Sequence, residues 1–88
     1  MTYFEELCAD GMFEELGYEK YESSKNVAYV KDIECVTTTI DFDLISKEIE
    51  IDRYDGANND YYSIIFNMKE LQAINKKCVE LCWLKERD

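Results

Sequence analysis

The chain has 88 residues, with twenty acidic and ten basic side chains, no histidine and a formal net charge of −10; residues 68–88 carry four acidic and five basic side chains, so the acidic excess lies before them. This length predicts a single domain, residues 1–88, with a small core, and a hydrophobic content of 47% is too high for an intrinsically disordered protein. The negative charge excludes nucleic acid phosphates and anionic membranes as direct partners, because both would repel it, and favours a basic protein surface.

The first predicted element is a helix that ends at Gly17. Thr2 followed by Glu5 has the spacing of a capping box, which opens a helix. The apolar residues at helical spacing are Phe4, Leu7, Cys8, Met12 and Leu16. Gly17 stands where a glycine commonly ends a helix. The step Asp10-Gly11 leaves two alternatives open, one continuous helix or two short ones, because glycine costs about 1 kcal/mol in a helix interior.

The middle of the chain predicts strands. Segments rich in β-branched and aromatic residues are separated by polar connections, which is the pattern of antiparallel hairpins. The predicted strands are residues 18–22, 27–31, 34–43, 48–54 and 61–66. Residues 55–60 form a turn cluster between the last two of them.

The last predicted element is a helix that begins after Asn67. Asn67 is a suitable N-cap, and Glu70 lies three residues on, in the capping-box position. The predicted apolar stripe consists of Leu71, Ile74, Cys78, Leu81 and Cys82. The simplest architecture is an α+β fold: an antiparallel β-sheet meander of four to five strands, with the N- and C-terminal helices packed on one face. The other face is left to solvent or to a partner.

The cysteines predict no metal site. The N-terminus has neither a basic region nor an apolar run, so we expect a cytoplasmic protein whose thiols are reduced. The four cysteines are Cys8, Cys35, Cys78 and Cys82. Their spacing does not match zinc-binding pairs, and with no histidine the only zinc site of this kind would need all four thiolates. We interpret them as buried free thiols that act as small hydrophobic residues, and we expect no cofactor.

Carboxylates alternate with apolar residues along two neighbouring strands. The alternating carboxylates are Asp41, Asp43, Glu48, Glu50 and Asp52. Because successive side chains of a strand point to opposite faces, Ile40, Phe42, Ile49 and Ile51 are expected to face the core and the carboxylates the solvent. The predicted partner-binding residues also include Tyr54, on the same strand face, and the nearby Asp55 and Asp60. A tyrosine beside carboxylates suits an arginine of a partner.

Two chemical interpretations of the carboxylates are rejected. Residues 52–60 are acidic and contain a glycine, but they lack the spacing of a calcium-binding EF-hand loop. Paired carboxylates could also act as an acid and a base, yet strand alternation explains them without a catalytic groove. The sequence has no activated nucleophile and no phosphate-binding glycine loop, so we expect a protein that is not an enzyme.

The C-terminal part carries a resemblance. An extended segment, residues 61–66, precedes the helical residues 68–77 and then Glu80, Leu81, Cys82, Trp83 and Leu84. This region resembles the ending of small acidic proteins from phages and prophages of low-GC Gram-positive bacteria, a group that includes anti-CRISPR inhibitors. The resemblance implies a phage-encoded inhibitor that acts in the host cytoplasm and occupies the basic nucleic-acid channel of an RNA-guided CRISPR nuclease.

Two hypotheses follow. In the first, the acidic strand face mimics nucleic acid, because same-face carboxylates lie roughly 6.5–7 Å apart along a strand, close to the phosphate repeat of one nucleic acid strand. In the second, the charge serves only solubility, and the protein is a phage structural or scaffolding module that self-associates. Its interface would then use apolar residues left over after packing, such as Ile45, Ile65, Val79 and Trp83.

Overall fold

The structure is a computed structural model that describes residues 8–57 and 67–84, and the backbone of residues 60 and 61. Its elements are α1 (Ala9–Glu15), β1 (Glu19–Glu22), β2 (Asn26–Ile33), β3 (Val36–Asp43), β4 (Glu48–Asp55), β5 (Asp60–Tyr61) and α2 (Met68–Glu80). The strands form one antiparallel sheet in the order β1-β2-β3-β4-β5. The predicted α+β meander is confirmed. The rest of the predicted fifth strand, residues 62–66, lies outside the described residues.

The two helices pack on one face of the sheet, which we name the inner face. Cross-strand neighbours point to the same face, and the register aligns Tyr29 with Ile40 and Ile51, and Phe42 with Ile49. Tyr29, Ile40 and Phe42 are buried, while Ile49 and Ile51 are partly buried against them. The predicted inward orientation of the four alternating apolar residues is therefore confirmed.

Helix α1 presents a different side chain to the core from those predicted. Phe13 is fully buried, stacks on the Tyr29 ring at 3.9 Å between centroids, and meets the Tyr18 ring edge-on. The predicted stripe omitted Phe13, and Met12 and Leu16 are only partly buried. Ala9, one turn before Phe13 on the same side of α1, is also buried. Its small side chain lets this side of α1 lie close to its neighbours, which explains why Phe13 faces the core.

The ends of α1 settle part of the sequence prediction. Gly17 has a φ of 94°, the left-handed conformation that glycine adopts at a helix end, so its predicted role is confirmed. The Asp10-Gly11 step lies inside α1, so the helix is not broken there, but α1 begins only at Ala9. Cys8 has extended backbone as its N-cap, so the prediction of one helix from Thr2 through Cys8 to Gly17 is wrong as well. The predicted capping box at Thr2 and Glu5, and the apolar Phe4 and Leu7, lie outside the described residues.

Helix α2 has the predicted start. The Asn67 side chain accepts a hydrogen bond from the Glu70 N–H at 2.8 Å, and the Glu70 carboxylate accepts one from the Asn67 N–H at 3.1 Å. Asn67 and Glu70 therefore form the capping box, which satisfies backbone donors that a helix start leaves unpaired.

The predicted apolar stripe of α2 is wrong at both ends. Leu71 is 52% exposed, and Cys82 is exposed beyond the helix. Ile74 and Cys78 are buried as predicted, together with Ala73, which the predicted stripe omitted. The reason is a polar contact: the face of α2 that points to the sheet begins with Glu70, whose carboxylate contacts Lys31 of β2 and Tyr18, the residue just before β1. This orientation places the adjacent Leu71 on the surface.

Glu70 anchors α2 to the sheet. The Tyr18 hydroxyl donates a hydrogen bond to Glu70 Oε2 at 2.8 Å, and Lys31 Nζ lies 3.5 Å from the same oxygen and 4.7 Å from the centre of the Tyr18 ring. Burial raises the pKa of the Glu70 carboxyl, but the hydrogen bonds from Tyr18 and the Asn67 N–H and the charge of Lys31 outweigh it, so the pKa lies below its ordinary value of 4.5. Glu70 is therefore buried as a paired anion.

Replacing Glu70 with glutamine is expected to lower the free energy of unfolding by about 1–3 kcal/mol at neutral pH, because Tyr18 and Lys31 lose a charged acceptor. The lowered pKa means that the ionised carboxylate stabilises the fold above about pH 4.5, and that this stabilisation is lost as the pH falls through the folded-state pKa. Urea unfolding of both proteins between pH 7 and pH 3 should show the difference shrinking. A difference that stays constant over this range would contradict the role of the charge.

The cysteine prediction holds for one residue of four. Cys78 is buried in the core, whereas Cys8, Cys35 and Cys82 are exposed. The three exposed cysteines lie at the N-cap of α1, in the turn between β2 and β3, and after the end of α2. Turns and the ends of helices lie at the protein surface, so these three thiols are not core residues.

The native protein should therefore react rapidly with a thiol reagent at three positions, Cys8, Cys35 and Cys82. Burial raises the pKa of the Cys78 thiol, which lowers its thiolate fraction as well as its accessibility. Counting reacted thiols with a chromogenic disulfide reagent, before and after addition of denaturant, checks this. Rapid reaction of all four thiols in the native state would contradict the burial of Cys78.

Candidate acidic protein interface

The face of the sheet opposite the helices is the candidate site, and we name it the outer face. Strand register assigns its residues, since each one aligns across the strands with another of the same face. They are Glu19, Tyr21, Asn26, Ala28, Val30, Asp32, Thr37, Thr39, Asp41, Asp43, Glu48, Glu50, Asp52 and Tyr54. Both described helices lie on the inner face, so neither covers these residues.

The five carboxylates predicted to share a face do so. Asp43 aligns with Glu48, Asp41 with Glu50, and Thr39 with Asp52. Glu48, Glu50 and Asp52 are exposed, whereas Asp41 and Asp43 are partly buried, so the predicted exposure is complete only on β4.

Two further carboxylates lie on the outer face that the sequence prediction missed. Glu19 aligns with Val30, and Asp32 aligns with Thr37, whose hydroxyl donates a hydrogen bond to the Asp32 carboxylate. Alternation along β1 and β2 indicates which residues share a strand face, but it assigns Glu19 and Asp32 to the outer face only once the register to β3 is known. The outer face therefore holds seven carboxylates: Glu19, Asp32, Asp41, Asp43, Glu48, Glu50 and Asp52.

The basic residues of the strands lie on the inner face. Lys20 aligns with buried Tyr29 and forms an ion pair with Asp10 at 2.8 Å. Lys31 pairs with Glu70, and Arg53 donates a hydrogen bond to Thr38 at 3.1 Å. Within the described strands, no lysine or arginine belongs to the outer face. Two exposed cations, Lys25 and Lys47, lie in the connecting loops at one end of the sheet.

Asp10 shows how the inner-face cations are used within the fold. Its carboxylate accepts hydrogen bonds from Lys20 and from the Tyr29 hydroxyl, and Lys77 Nζ lies 3.7 Å away. Burial raises the pKa of the Asp10 carboxyl, but these donors and charges outweigh it, so the pKa lies below its ordinary value. Lys20, Lys31 and Lys77 are thus engaged by helix acids or core residues and do not neutralise the outer face.

The outer-face carboxylates differ in how they are held. Asp43 accepts hydrogen bonds from the backbone N–H groups of Ser46 and Ile45, which keep the pKa of its carboxyl below the ordinary value. Asp41 accepts one from the Asn26 amide at 2.8 Å. In the part of the chain that the structure describes, Glu50 and Asp52 have no side-chain hydrogen bond or ion pair, so their oxygens remain available to a partner.

The arrangement costs stability. Asp41 of β3 lies directly opposite Glu50 of the neighbouring strand β4, and Asp43 lies opposite Glu48 in the same way. Like charges in such pairs destabilise a sheet, by a few tenths to about 1 kcal/mol per pair. A solvated sheet face needs no such pairing, because serine, threonine or lysine would fill the same positions without repulsion.

The predicted binding residues separate into two groups. Tyr54 lies on the outer face beside Thr37 and is partly buried. Asp55 falls on the opposite strand face, where it aligns with Val36, and its carboxylate accepts a hydrogen bond from the Ala57 N–H at 3.0 Å. Asp60 aligns with Asp55 through the backbone, and its side chain lies outside the described residues. Asp55 does not belong to the acidic face.

The described residues hold no group of three or more cysteine, aspartate or glutamate side chains placed to bind a metal ion. Neither of the two described helices has the length and apolar character needed to cross a bilayer. Among the described residues, the geometry is thus that of a sheet face that neither helix covers and whose charged strand residues are all acidic. No protein-family model, curated protein or solved structure matches the chain.

Proposed function

We propose that this protein inhibits a bacterial defence nuclease of the RNA-guided CRISPR type by binding its basic nucleic-acid-binding surface through the outer face. The observation that supports the proposal is the segregation of charge: seven carboxylates on the outer face and, among the described strand residues, every cation on the inner face. The choice of a CRISPR nuclease rests on the resemblance of residues 61–84 to phage proteins. The same resemblance implies that the protein is encoded by a phage and acts in the host cytoplasm.

Charge spacing supports mimicry of nucleic acid. Same-face residues are roughly 6.5–7 Å apart along a strand, and neighbouring strands are about 4.8 Å apart, so the carboxylates form a two-dimensional array of negative charge. A surface built to bind phosphates carries lysine and arginine at comparable density. Attraction between the two surfaces would accelerate association and would weaken with added salt.

Self-association through the outer face is disfavoured for the same reason. Two copies would bring together two arrays of carboxylates. The apolar residues of the alternative hypothesis are only partly available: Ile45, in the loop between β3 and β4, is 73% exposed, whereas Trp83 packs beside Phe42 at 6.1 Å between ring centres. Val79 is partly buried, and Ile65 lies outside the described residues.

Affinity capture from a lysate of a bacterium that carries an RNA-guided nuclease tests the proposal. The immobilised protein should retain the nuclease at about 0.1 M salt and release most of it at about 1 M, where charges are screened beyond about 3 Å. The recovered nuclease should also lose DNA cleavage when the protein is added. Recovery of the protein's own copies alone, or of a partner whose nuclease activity is unchanged, would contradict the proposal and favour the self-associating module.

A further inference from the structure

The outer face is not uniformly acidic, because a continuous strip of uncharged residues crosses it. Tyr21 aligns with Ala28 across β1 and β2, Val30 aligns with Thr39 across β2 and β3, and Thr37 aligns with Tyr54 across β3 and β4. Ala28 and Val30 are successive same-face residues of β2, as are Thr37 and Thr39 of β3. The central strip thus consists of Tyr21, Ala28, Val30, Thr39, Thr37 and Tyr54.

Carboxylates border the central strip on both sides. Glu19 and Asp32 lie on one flank, and five carboxylates lie on the other: Asp41, Asp43, Glu48, Glu50 and Asp52. The side chains in the middle of the strip are small, whereas a tyrosine stands at each end. Tyr21 is 56% exposed, and its hydroxyl donates a hydrogen bond to Glu19. The strip, which we name the furrow, is therefore a band of uncharged side chains between two acidic borders.

The dimensions of the furrow fit a helix. From Tyr21 to Tyr54 the strip spans three strand spacings of about 4.8 Å and two same-face steps of about 6.7 Å, which gives a length of about 20 Å. An α-helix of about 13 residues has this length, and its diameter with side chains is about 10 Å, the width of two to three strands.

We infer that the outer face seats an amphipathic α-helix of a basic partner, with the apolar stripe of that helix on the central strip and arginines or lysines on its two flanks. An amphipathic helix has one apolar stripe with polar residues on both sides, and the outer face has the complementary pattern. Tyr21, which is exposed, can stack on an arginine side chain at one end. A second copy, a nucleic acid or an anionic membrane would each meet repulsion from the same carboxylates.

This inference rests on the proposed function only in using the outer face as the interface. It adds that the bound element of the partner is helical and that apolar contact, as well as charge, holds it. The two contributions separate experimentally, because an added negative charge in the furrow disrupts apolar seating while it strengthens attraction for a cation.

Two synthetic peptides of about 16 residues provide the probes. Both contain the same leucines, alanines and arginines; in one the leucines recur at helical spacing on one face, and in the other their order is scrambled. We expect the amphipathic peptide to bind at least 10-fold more tightly by calorimetry, and its binding to shift the amide resonances of Ala28, Val30 and Thr39. Equal affinities would overturn the inference, since charge alone would then account for binding.

Variants of the protein provide the second arm. Val30→Asp and Tyr21→Ser should each weaken binding of the amphipathic peptide at least 10-fold, whereas Ile45→Asp, the same type of change in an exposed loop, should not. Tyr21 is exposed, so its variant folds even if Val30→Asp is destabilised. Unchanged or tighter binding by the Tyr21 variant would overturn the inference. Loss of nuclease inhibition on reversal of the β4 carboxylates, with no effect of Tyr21→Ser, would leave the proposed function standing without the helix.

Discussion

Reversing Glu48, Glu50 and Asp52 to lysine together is expected to abolish capture and inhibition of the nuclease while leaving the fold intact. All three side chains are exposed on β4. Exposed substitutions rarely change stability by more than about 0.5 kcal/mol each. Lysine at positions 48 and 50 would also replace two repulsive cross-strand pairs, with Asp43 and Asp41, by attractive ones, so the melting temperature should be equal or higher.

A matched control separates the position of the charges from their sum. Glu14, Glu15 and Glu34 are exposed and lie outside the outer face, in α1 and in the turn after β2. Their reversal to lysine changes the net charge by the same amount and should retain inhibition at physiological salt. Equal loss of inhibition in both triple variants would show that net charge, not the outer face, is responsible, and inhibition retained by the β4 variant would exclude the face as the interface.

Truncation of Phe13 to alanine is expected to have the largest effect on folding. Phe13 is fully buried and contacts the rings of Tyr29, Tyr18 and Phe42. Removing a buried phenylalanine typically costs 3–5 kcal/mol, from the lost transfer free energy and the cavity left behind. A domain of this size has a total stability of roughly 4–13 kcal/mol, so much of the variant should be unfolded at 37 °C.

Urea unfolding followed by far-UV circular dichroism measures this effect. Met12→Ala is the control, because Met12 is the adjacent residue of the same helix but is only partly buried, and about 1 kcal/mol is expected. A loss of less than about 1 kcal/mol for Phe13→Ala would show that α1 is not packed on the sheet as described.

The strands were predictable because their signal is local. Alternation of Ile40, Asp41, Phe42 and Asp43 fixes which side chains share a face, whatever the rest of the chain does, since the period of a strand is two residues. One buried face also fixes the register, so the acidic row on β3 and β4 follows from the sequence. Glu19 and Asp32 do not follow, because their strands carry fewer alternating residues and their place depends on pairing with β2 and β3.

The buried faces of the helices were less predictable, because tertiary contacts select them. Met12, Phe13 and Leu16 allow more than one apolar stripe in α1, and stacking on Tyr29 selects the stripe that contains Phe13. In α2 the contact between Glu70 and Tyr18 decides the orientation, and hydrophobic periodicity contains no information about a buried carboxylate. The exposure of three cysteines was not predictable for the same reason, since burial of a small apolar residue depends on its position in the fold.

Competition for the nuclease is the most direct test of the claim that the outer face occupies a basic nucleic-acid site. Fluorescence anisotropy of a labelled target DNA, bound to the captured nuclease with its guide RNA, is followed while this protein is added. We expect displacement that reaches completion at a ratio near one to one, with no signal from a complex that contains both ligands, and no displacement by the Glu48, Glu50 and Asp52 lysine variant. Persistence of the DNA complex at saturating protein, or equal displacement by that variant, would contradict the claim.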